Sequence, residues 1–276
     1  MPKDPTNDTA LQHIPNTGGL TLSPSRTGLF ARGRKDASET NSTASAAALY
    51  KLGVQHYNGH GVPQDFSQAA ACFLKAADLG HMEAQYQLST LYDTGTGVPQ
   101  DHKQATQWAR KAAEQGHAYA QADLSFSYYT GTGVPQNFAE AFAWCQKAAE
   151  QNLAWAQYNL GLMYRKGEGT AQDNKQAATW YRKAANQNWP EAQQKLGDLY
   201  YSGHGVTTNF TQAAHWYRKA ADHGNAEAQF QLSHLYTIGE GVPHDYTQAR
   251  HWVRKAAEQG HVQAQRELKK REYRDP

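Results

Sequence analysis

A strict 36-residue period is the feature that most limits what this chain can fold into. The stretch from Ala84 to Gly116 recurs when it is shifted by 36 residues in either direction, without a slip between residues 48 and 268. This gives six full repeats and the start of a seventh. Periods of about 20–50 residues are typical of solenoids, in which each repeat packs mainly on its neighbours. The leucine register shows the period most clearly: Leu52, Leu88, Leu124, Leu160, Leu196 and Leu232.

Each repeat contains two helical patterns separated by a breaker. In the second repeat, Ala84, Leu88 and Leu91 follow helical spacing, and Ala105 and Trp108 begin a second stripe of the same kind. Two glycines and a proline lie between the two stripes, a cluster that ends helices. The sequence therefore predicts a helix, a glycine loop and a second helix in every repeat.

The ends of the second helix are marked by residue type. Every residue at its start is Asp or Asn, whose side-chain oxygen accepts from free N–H groups of the first turn. Every residue at its end is Gly or Asn, the types that most easily adopt the left-handed conformation that closes a helix. The predicted starts are Asp65, Asp101, Asn137, Asp173, Asn209 and Asp245, and the predicted stops are Gly80, Gly116, Asn152, Asn188, Gly224 and Gly260.

A large residue recurs in the middle of the second helix, among alanines that let helices approach closely. We expect this register to fill the space between neighbouring repeats. It holds Trp108, Trp144, Trp180, Trp216 and Trp252, with Cys72 in the first repeat.

The two ends of the chain differ from the repeats. Residues 1–44 are rich in Ser, Thr and Pro without apolar periodicity, which predicts a disordered leader. Within it, residues 20–30 combine leucines and Phe30 with nearby arginines. We consider a solvated tail, a short docking motif, and a segment that folds back onto the groove of the same molecule. Residues 45–268 form the repeats, and residues 269–276 form a polar C-terminal cap or tail.

Composition excludes several classes of function. The formal charge of +2 gives no basic footprint for nucleic acid. Cys72 and Cys145 lie two repeats apart, too far for a disulfide, and are expected to be small packing residues. No apolar run approaches the ~18 residues of a membrane span. The start of the chain lacks the apolar stretch of a secretory signal, so the expected compartment is the cytoplasm, with export by a non-classical route as the alternative.

No motif for catalysis, a cofactor or a metal stands out. Histidines in one register, such as His81, His117 and His261, are separated by whole repeats and cannot converge on one ion, so we expect solvent-facing turn residues. The glycine loops lack the Gly-Lys-Ser/Thr of a phosphate cradle, and no nucleophile elbow is present. The expectation is a protein that is not an enzyme and has no cofactor.

The repeat pattern A-x-x-x-L-(G/S)-x-x-Y-x-x-G-x-G-V, followed by (D/N)-x-x-x-A-x-x-W-x-x-K-A-A-x-x-G, closely resembles the Sel-one-like repeat (SLR), a relative of the tetratricopeptide repeat. The resemblance implies an all-α, right-handed superhelical solenoid with a concave groove lined by the first helix of each repeat. It also implies that the protein is an adaptor that assembles protein complexes, as bacterial members of the family do. One branch of the family has a disulfide in each repeat, a pattern that the two cysteines of this chain cannot form.

By analogy with tetratricopeptide repeats, first-helix residues that point away from the core would bind a partner protein or peptide. We expect an apolar centre around the third and fourth repeats and an acidic strip, including Asp198, nearer the C-terminus. Phe126, Trp155, Leu162 and Ile238 are the best candidates because they are apolar at predicted solvent-facing positions, whereas inter-repeat packing could equally explain Tyr86 and Tyr158. The candidate residues are Tyr86, Phe126, Tyr129, Trp155, Tyr158, Leu162, Arg165, Tyr201, Phe230, His234 and Ile238.

Two functions follow from this reading. The first is a non-enzymatic scaffold that captures a partner protein or peptide in its groove. The alternative is a secreted effector, or an immunity or inhibitor-type regulator, built on the same scaffold.

Overall fold

Helices joined by short loops make up the part of the chain that the computed structural model describes, which is the backbone of residues 37–272 and the side chains of residues 43–269. Among these residues there are thirteen helices and no strand. The helices are α1 (Ala37–Asn58), α2 (Phe66–Asp78), α3 (Met82–Thr94), α4 (His102–Glu114), α5 (Ala118–Thr130), α6 (Phe138–Glu150), α7 (Ala154–Lys166), α8 (Asn174–Asn186), α9 (Pro190–Ser202), α10 (Phe210–Asp222), α11 (Ala226–Ile238), α12 (Tyr246–Glu258) and α13 (Val262–Glu272).

The chain divides into two compact units, residues 1–148 and residues 149–276. In the first unit, successive helices in the series α1 to α5 pack against each other. In the second unit, the same holds from α7 to α13. This packing of successive helix pairs confirms the prediction of an all-α solenoid of helix–loop–helix repeats.

The predicted helix boundaries are confirmed. Asp101 lies in extended backbone just before α4, and its side chain accepts from the backbone N–H groups of Lys103 and Gln104. The corresponding Asp or Asn accepts from one or two backbone N–H groups at the start of the other second helices. Every predicted stop residue has a positive φ, including the asparagines Asn152 at 67° and Asn188 at 62°. The second helices therefore begin and end where the sequence pattern indicates.

The tryptophan register joins neighbouring repeats, as predicted. In the first unit, Trp108 of α4 is buried in a cluster with Phe73 of α2 and Leu88 of α3. A lysine three residues later covers the ring, and the Lys111 Nζ atom lies 3.7 Å from the Trp108 ring centroid. The same cation–π contact recurs in all five tryptophan-bearing repeats. Trp108 thus stabilises the contact between the first and second repeats.

A close approach of the glycine loop fixes how neighbouring repeats meet. A Cβ placed on Gly97 would lie 2.3 Å from the backbone oxygen of Phe66, at the start of the preceding second helix. The φ of Gly97 is also positive, at 72°. Only glycine combines this conformation with this contact.

Within each repeat, a position on the first helix is matched in size to a position on the second helix twenty residues later. In the fifth repeat, a Cβ placed on Gly197 would lie 2.6 Å from the ring of Tyr217. In the second repeat, the same two positions hold Ser89 and Ala109. A glycine on the first helix therefore faces an aromatic residue on the second helix, and a serine faces alanine, cysteine or valine. The pairs are Gly53–Phe73, Ser89–Ala109, Ser125–Cys145, Gly161–Tyr181, Gly197–Tyr217 and Ser233–Val253.

A buried glutamine recurs in the first turn of the first helix in the second to sixth repeats. Gln85 donates through Nε2 to the backbone oxygen of Ala77 at 3.1 Å, and its Oε1 accepts from Gln115 at 2.7 Å. In the fifth repeat, Gln193 makes the first bond, but His223 stands in place of the second glutamine and the buried Oε1 has no partner. The bond to Ala77 joins neighbouring repeats, and the bond to Gln115 joins the two helices of one repeat. The repeat pattern alone does not indicate either bond.

Both cysteines are free and buried, in agreement with a packing role. Cys145 occupies the second-helix position of a size-matched pair, and burial raises the pKa of its thiol to about 12.

The two ends of the repeat array are helical. Helix α1 begins at Ala37, inside the segment predicted as a leader, while residues 1–36 with the motif at residues 20–30 lie outside the described residues. Helix α13 extends to Glu272. It buries Ala264 and exposes most of its other described side chains, as expected of a terminal helix with a polar outer face.

Candidate functional site

A solvent-open cleft lies between α3, α4 and α5 in the first unit. Its volume is about 240 Å³. Tyr86 and Thr90 of α3, Ala105 and Ala109 of α4, and Phe126 of α5 form part of its lining. An engineered apolar cavity of ~150 Å³ is large enough to bind benzene, so this cleft has room for a ring-sized group.

The cleft exists because the second repeat has small residues at its size-matched pair. In the first repeat, the ring of Phe73 packs against the backbone of Gly53. In the second repeat, Ala109 replaces the ring, and both Ala109 and Ser89 line the cleft. The first-helix periodicity alone gave no sign of this opening. The sequence signal for the opening is the small size of Ala109, twenty positions after Ser89.

The cleft contains two carboxylates, Asp93 and Asp123, among serines and threonines. The carboxylate oxygen of Asp93 lies 2.9 Å from Nδ1 of His102. The hydroxyl of Tyr86 donates to the carboxylate of Asp123, and burial together with this carboxylate raises the pKa of Tyr86 well above its usual value. The lining includes these two carboxylates and one histidine but no lysine or arginine. A cationic or hydrogen-bond-donating occupant therefore matches the charge of the cleft.

The structure places the candidate residues of the first unit in three different environments. Tyr86 is only 3% exposed and stacks on His117, with 4.2 Å between ring centroids, so it forms the floor of the cleft. Phe126 is half-buried and lines the wall. Tyr129 packs edge-on against Phe138 at 5.2 Å, outside the cleft lining. Tyr86 and Phe126 are thus brought together, and Tyr129 is not part of this site.

The prediction that Trp155 and Leu162 of the fourth repeat face solvent is wrong, and for Tyr158 the packing alternative holds. Trp155, Tyr158 and Leu162 are 6%, 1% and 1% exposed. Every residue of α7 from Trp155 to Met163 is buried, so the helix has no solvent-facing stripe along this length. Burying such side chains favours folding by about 1.5–3 kcal/mol each. These residues belong to the core.

Arg165 follows this buried stretch and is half-buried. It lies close enough to Tyr181 to favour the ionised phenol, but burial dominates and raises the pKa of Tyr181. Arg165 therefore lies next to the Tyr181 ring, which fills the fourth repeat.

The remaining candidates lie in the second unit and differ in how exposed their side chains are. Tyr201 packs edge-on against Phe210 at 5.4 Å, and Phe230 stacks on His261 at 4.8 Å. Both are half-buried, whereas His234 is exposed. Ile238 is 42% exposed, as predicted for an apolar residue facing solvent.

Asp198 is the most perturbed carboxyl group of the second unit. Its Oδ1 accepts from the hydroxyl of Tyr217 at 2.9 Å, and the Lys195 Nζ atom lies 3.7 Å from Oδ2. Burial raises the pKa of Asp198 to about 6, although Lys195 and the hydrogen bonds act in the opposite direction. The predicted acidic position exists, but Tyr217 fills the space beside it.

The expectation of solvent-facing turn histidines is wrong for His81, His117 and His261. Each precedes a first-type helix and accepts through Nδ1 from a backbone N–H of its first turn, at 3.1–3.2 Å. Each also stacks on an aromatic ring of the preceding repeat. Burial lowers the pKa of His81 and His117, which keeps Nδ1 available as an acceptor.

The described residues contain neither a metal-binding cluster nor a membrane-spanning helix. No group of three or more His, Cys, Asp or Glu side chains is placed to hold a metal ion there. In the same part of the chain, no helix has the length and apolar character needed to cross a membrane.

Comparison with known proteins places these repeats in a family. The Sel1 repeat model matches six segments: residues 46–81, 83–117, 118–153, 156–189, 190–225 and 226–261. No curated protein matches the chain.

Two solved structures share both sequence and fold. The first is c5321, described as a protective antigen present in uropathogenic Escherichia coli strains displaying an SLR fold, with 38% identity and a TM-score of 0.76 over 83% of this chain. This chain spans about half of that structure, 49% of its length. The second is a Sel1 repeat protein from Oxalobacter formigenes, with 34% identity and a TM-score of 0.68 over 84% of this chain and 68% of the other.

Sel1 repeats typically form non-enzymatic scaffolds for protein–protein interaction, and the similar structures are bacterial. With six matched repeats covering most of its length, the chain belongs to the Sel1 repeat family.

Proposed function

We propose that the protein is a non-enzymatic interaction scaffold that binds a segment of a partner protein in the cleft between α3, α4 and α5. The observation that carries this proposal is the opening left by Ala109, where three other repeats hold a packed aromatic ring. A folded chain that leaves about 240 Å³ between apolar walls has a site where a partner side chain can be desolvated.

The physical basis is the burial of apolar surface on both sides of the contact. Tyr86 is held rigid by His117 and Asp123, so little conformational entropy is lost at the floor when a partner binds. Phe126 supplies an aromatic wall, and aromatic residues dominate the binding energy of protein interfaces.

Panning a displayed library of random peptides on the full chain tests the proposal. We expect enriched peptides with micromolar affinity by titration calorimetry, and a loss of about tenfold in affinity for Phe126→Ala. Tyr246→Ala is the matched control, because Tyr246 is 64% exposed on α12 and lies outside the cleft lining. This variant should bind as the unmodified chain does.

Failure to enrich any peptide, or equal affinity of the Phe126→Ala and Tyr246→Ala variants, would contradict the proposal. A role as a secreted effector or immunity-type regulator would use the same binding surface and remains the alternative proposal for its biological setting.

A further inference from the structure

Other repeats of the same chain show what kind of group fits the cleft. In the fifth repeat, the ring of Tyr217 packs on the backbone of Gly197, and its hydroxyl donates to Asp198 at 2.9 Å. The positions of Gly197 and Asp198 correspond to Ser89 and Thr90 in the second repeat. Both of these residues line the cleft, so the opening includes the space that an aromatic ring fills in the fifth repeat.

The charges at the cleft favour a cation beside that ring. Asp93 and Asp123 belong to the lining, and Lys and Arg are absent from it. Glu83, with a side chain 45% exposed, lies at the start of the same helix α3. The Asp93 side chain contacts His102 but is still 49% exposed, so its carboxylate is accessible to a partner. Lysine or arginine residues on a partner would be attracted to these carboxylates, and acidic residues would be repelled by them.

We propose that the cleft receives a tyrosine or phenylalanine side chain of a partner polypeptide in which basic residues adjoin the aromatic one. This inference rests on the proposed function and specifies its partner. The aromatic ring takes the place that Phe73, Tyr181 and Tyr217 occupy in their own repeats. The adjoining cations face Asp93 and Asp123. A tyrosine hydroxyl would lie beside Thr90, which corresponds to Asp198 in the fifth repeat.

Three short probes separate the aromatic and basic requirements. They are the capped tripeptides Arg-Tyr-Arg, Glu-Tyr-Glu and Arg-Leu-Arg, with 4-methylphenol as the isolated side chain. Binding is followed by amide chemical shifts of the full chain at low salt, because exposed charges are screened over about 10 Å at 0.1 M salt. We expect Arg-Tyr-Arg to bind at least about fivefold more tightly than either other peptide, and 4-methylphenol to shift amides of α3–α5.

The matched variant fills the cleft with the chain's own chemistry. Ser89→Gly with Ala109→Tyr copies the Gly197–Tyr217 pair into the second repeat and should abolish binding of all probes while the helical circular dichroism is unchanged. Ala109→Tyr alone should lower the melting temperature, because the Ser89 Cβ would meet the new ring. Asp93→Asn, which leaves the cleft volume unchanged, should weaken Arg-Tyr-Arg by about threefold and leave 4-methylphenol binding unaltered.

Each contrary result is informative. Equal binding of Arg-Tyr-Arg and Glu-Tyr-Glu would overturn the basic requirement, and equal binding of Arg-Tyr-Arg and Arg-Leu-Arg would overturn the aromatic one. Library peptides that depend on Phe126 without any response to these probes would overturn this inference while leaving the proposed function intact. Failure of both the library peptides and the probes to bind would overturn the proposed function and this inference with it.

The N-terminal segment is the competing occupant, because it contains Phe30 with arginines nearby. The full chain carrying Leu29→Ser and Phe30→Ser should bind Arg-Tyr-Arg with unchanged affinity. A tenfold gain would show that this segment holds the cleft, and would overturn the assignment to a separate partner.

Discussion

The second and fifth repeats use the same backbone positions to opposite effect. In the second repeat, Ser89 faces Ala109 and a cleft is left open. In the fifth repeat, Gly197 faces Tyr217, and the tyrosine is 2% exposed. The Tyr217 ring fills, as part of the core, the space that remains open as a cleft beside Ala109.

The comparison teaches that the small residue and the large residue must change together. A serine at position 197 would bring its Cβ within 2.6 Å of the Tyr217 ring, and interiors packed to crystal density tolerate such overlap poorly. The repeat can therefore be open or closed, and the choice depends on a residue of the second helix rather than on the residues that would face the partner.

The largest expected effect comes from opening the fifth repeat. Tyr217→Ala should reduce the free energy of unfolding by about 3–5 kcal/mol, the range for removal of a buried aromatic ring. Urea denaturation followed by far-UV circular dichroism measures this loss. Tyr217→Phe keeps the ring and removes only the donor to Asp198, so it should cost less, about 1.5–3 kcal/mol.

Equal losses for the two Tyr217 variants would show that the hydroxyl, rather than the ring, closes the fifth repeat. The proposed equivalence between the Ala109 opening and the Tyr217 ring would then fail.

A second test uses the carboxyl group beside that ring. Burial raises the pKa of Asp198 from 3.8 to about 6, so the folded state binds a proton more tightly than the unfolded state. The stability from the protonated carboxyl is fully present below pH 3.8 and is lost as pH rises through about 6.

Asp198→Asn is permanently neutral and should therefore stabilise the protein at pH 7.5, with no gain below pH 4. Two pKa units set an upper limit of about 3 kcal/mol, which the 28% exposure of the side chain reduces. Melting temperatures of both proteins across this pH range provide the measurement. A gain that is the same at pH 4 and pH 7.5 would contradict the raised pKa.

The smallest effect concerns the glutamine pairs. The second repeat has the Gln85–Gln115 bond, whereas His223 in the fifth repeat leaves Oε1 of Gln193 without a partner. His223→Gln should raise the free energy of unfolding by about 0.5–1.5 kcal/mol, the usual net value of one hydrogen bond.

The matched control for this substitution is Gln187→His, which removes the existing 2.8 Å bond to Gln157. Chemical denaturation should show a loss of similar size. If His223→Gln has no effect while Gln187→His destabilises, the geometry of the fifth repeat does not allow the pair to form.

Most of the fold could be predicted because each signal is local. An Asp before a helix caps it through its own side chain, as Asp101 does, and Asn152 ends one through its own backbone conformation. The tryptophan register was equally readable, since Trp108 recurs at the same place in successive repeats and fills the space between them.

The candidate site was less predictable because exposure differs among residues in one register. Phe126 and Leu162 are one period apart on equivalent faces, yet Phe126 is half-buried at a cleft and Leu162 is 1% exposed. Trp155 likewise follows the pattern of an outward-facing residue and is buried. Periodicity gives the direction of a side chain from its own helix but does not specify what the neighbouring helices place in front of it.

The repeat length, the helix boundaries and the family can be read from the amino-acid sequence, because they depend on patterns within about 36 residues of chain. Which repeat is open can be seen only in the packed structure. That outcome depends on contacts between side chains twenty or more residues apart, where the volume of Ala109 or Tyr217 determines whether the space is filled by the chain or remains accessible. Packing is a property of several helices together, and a single helix pattern does not contain it.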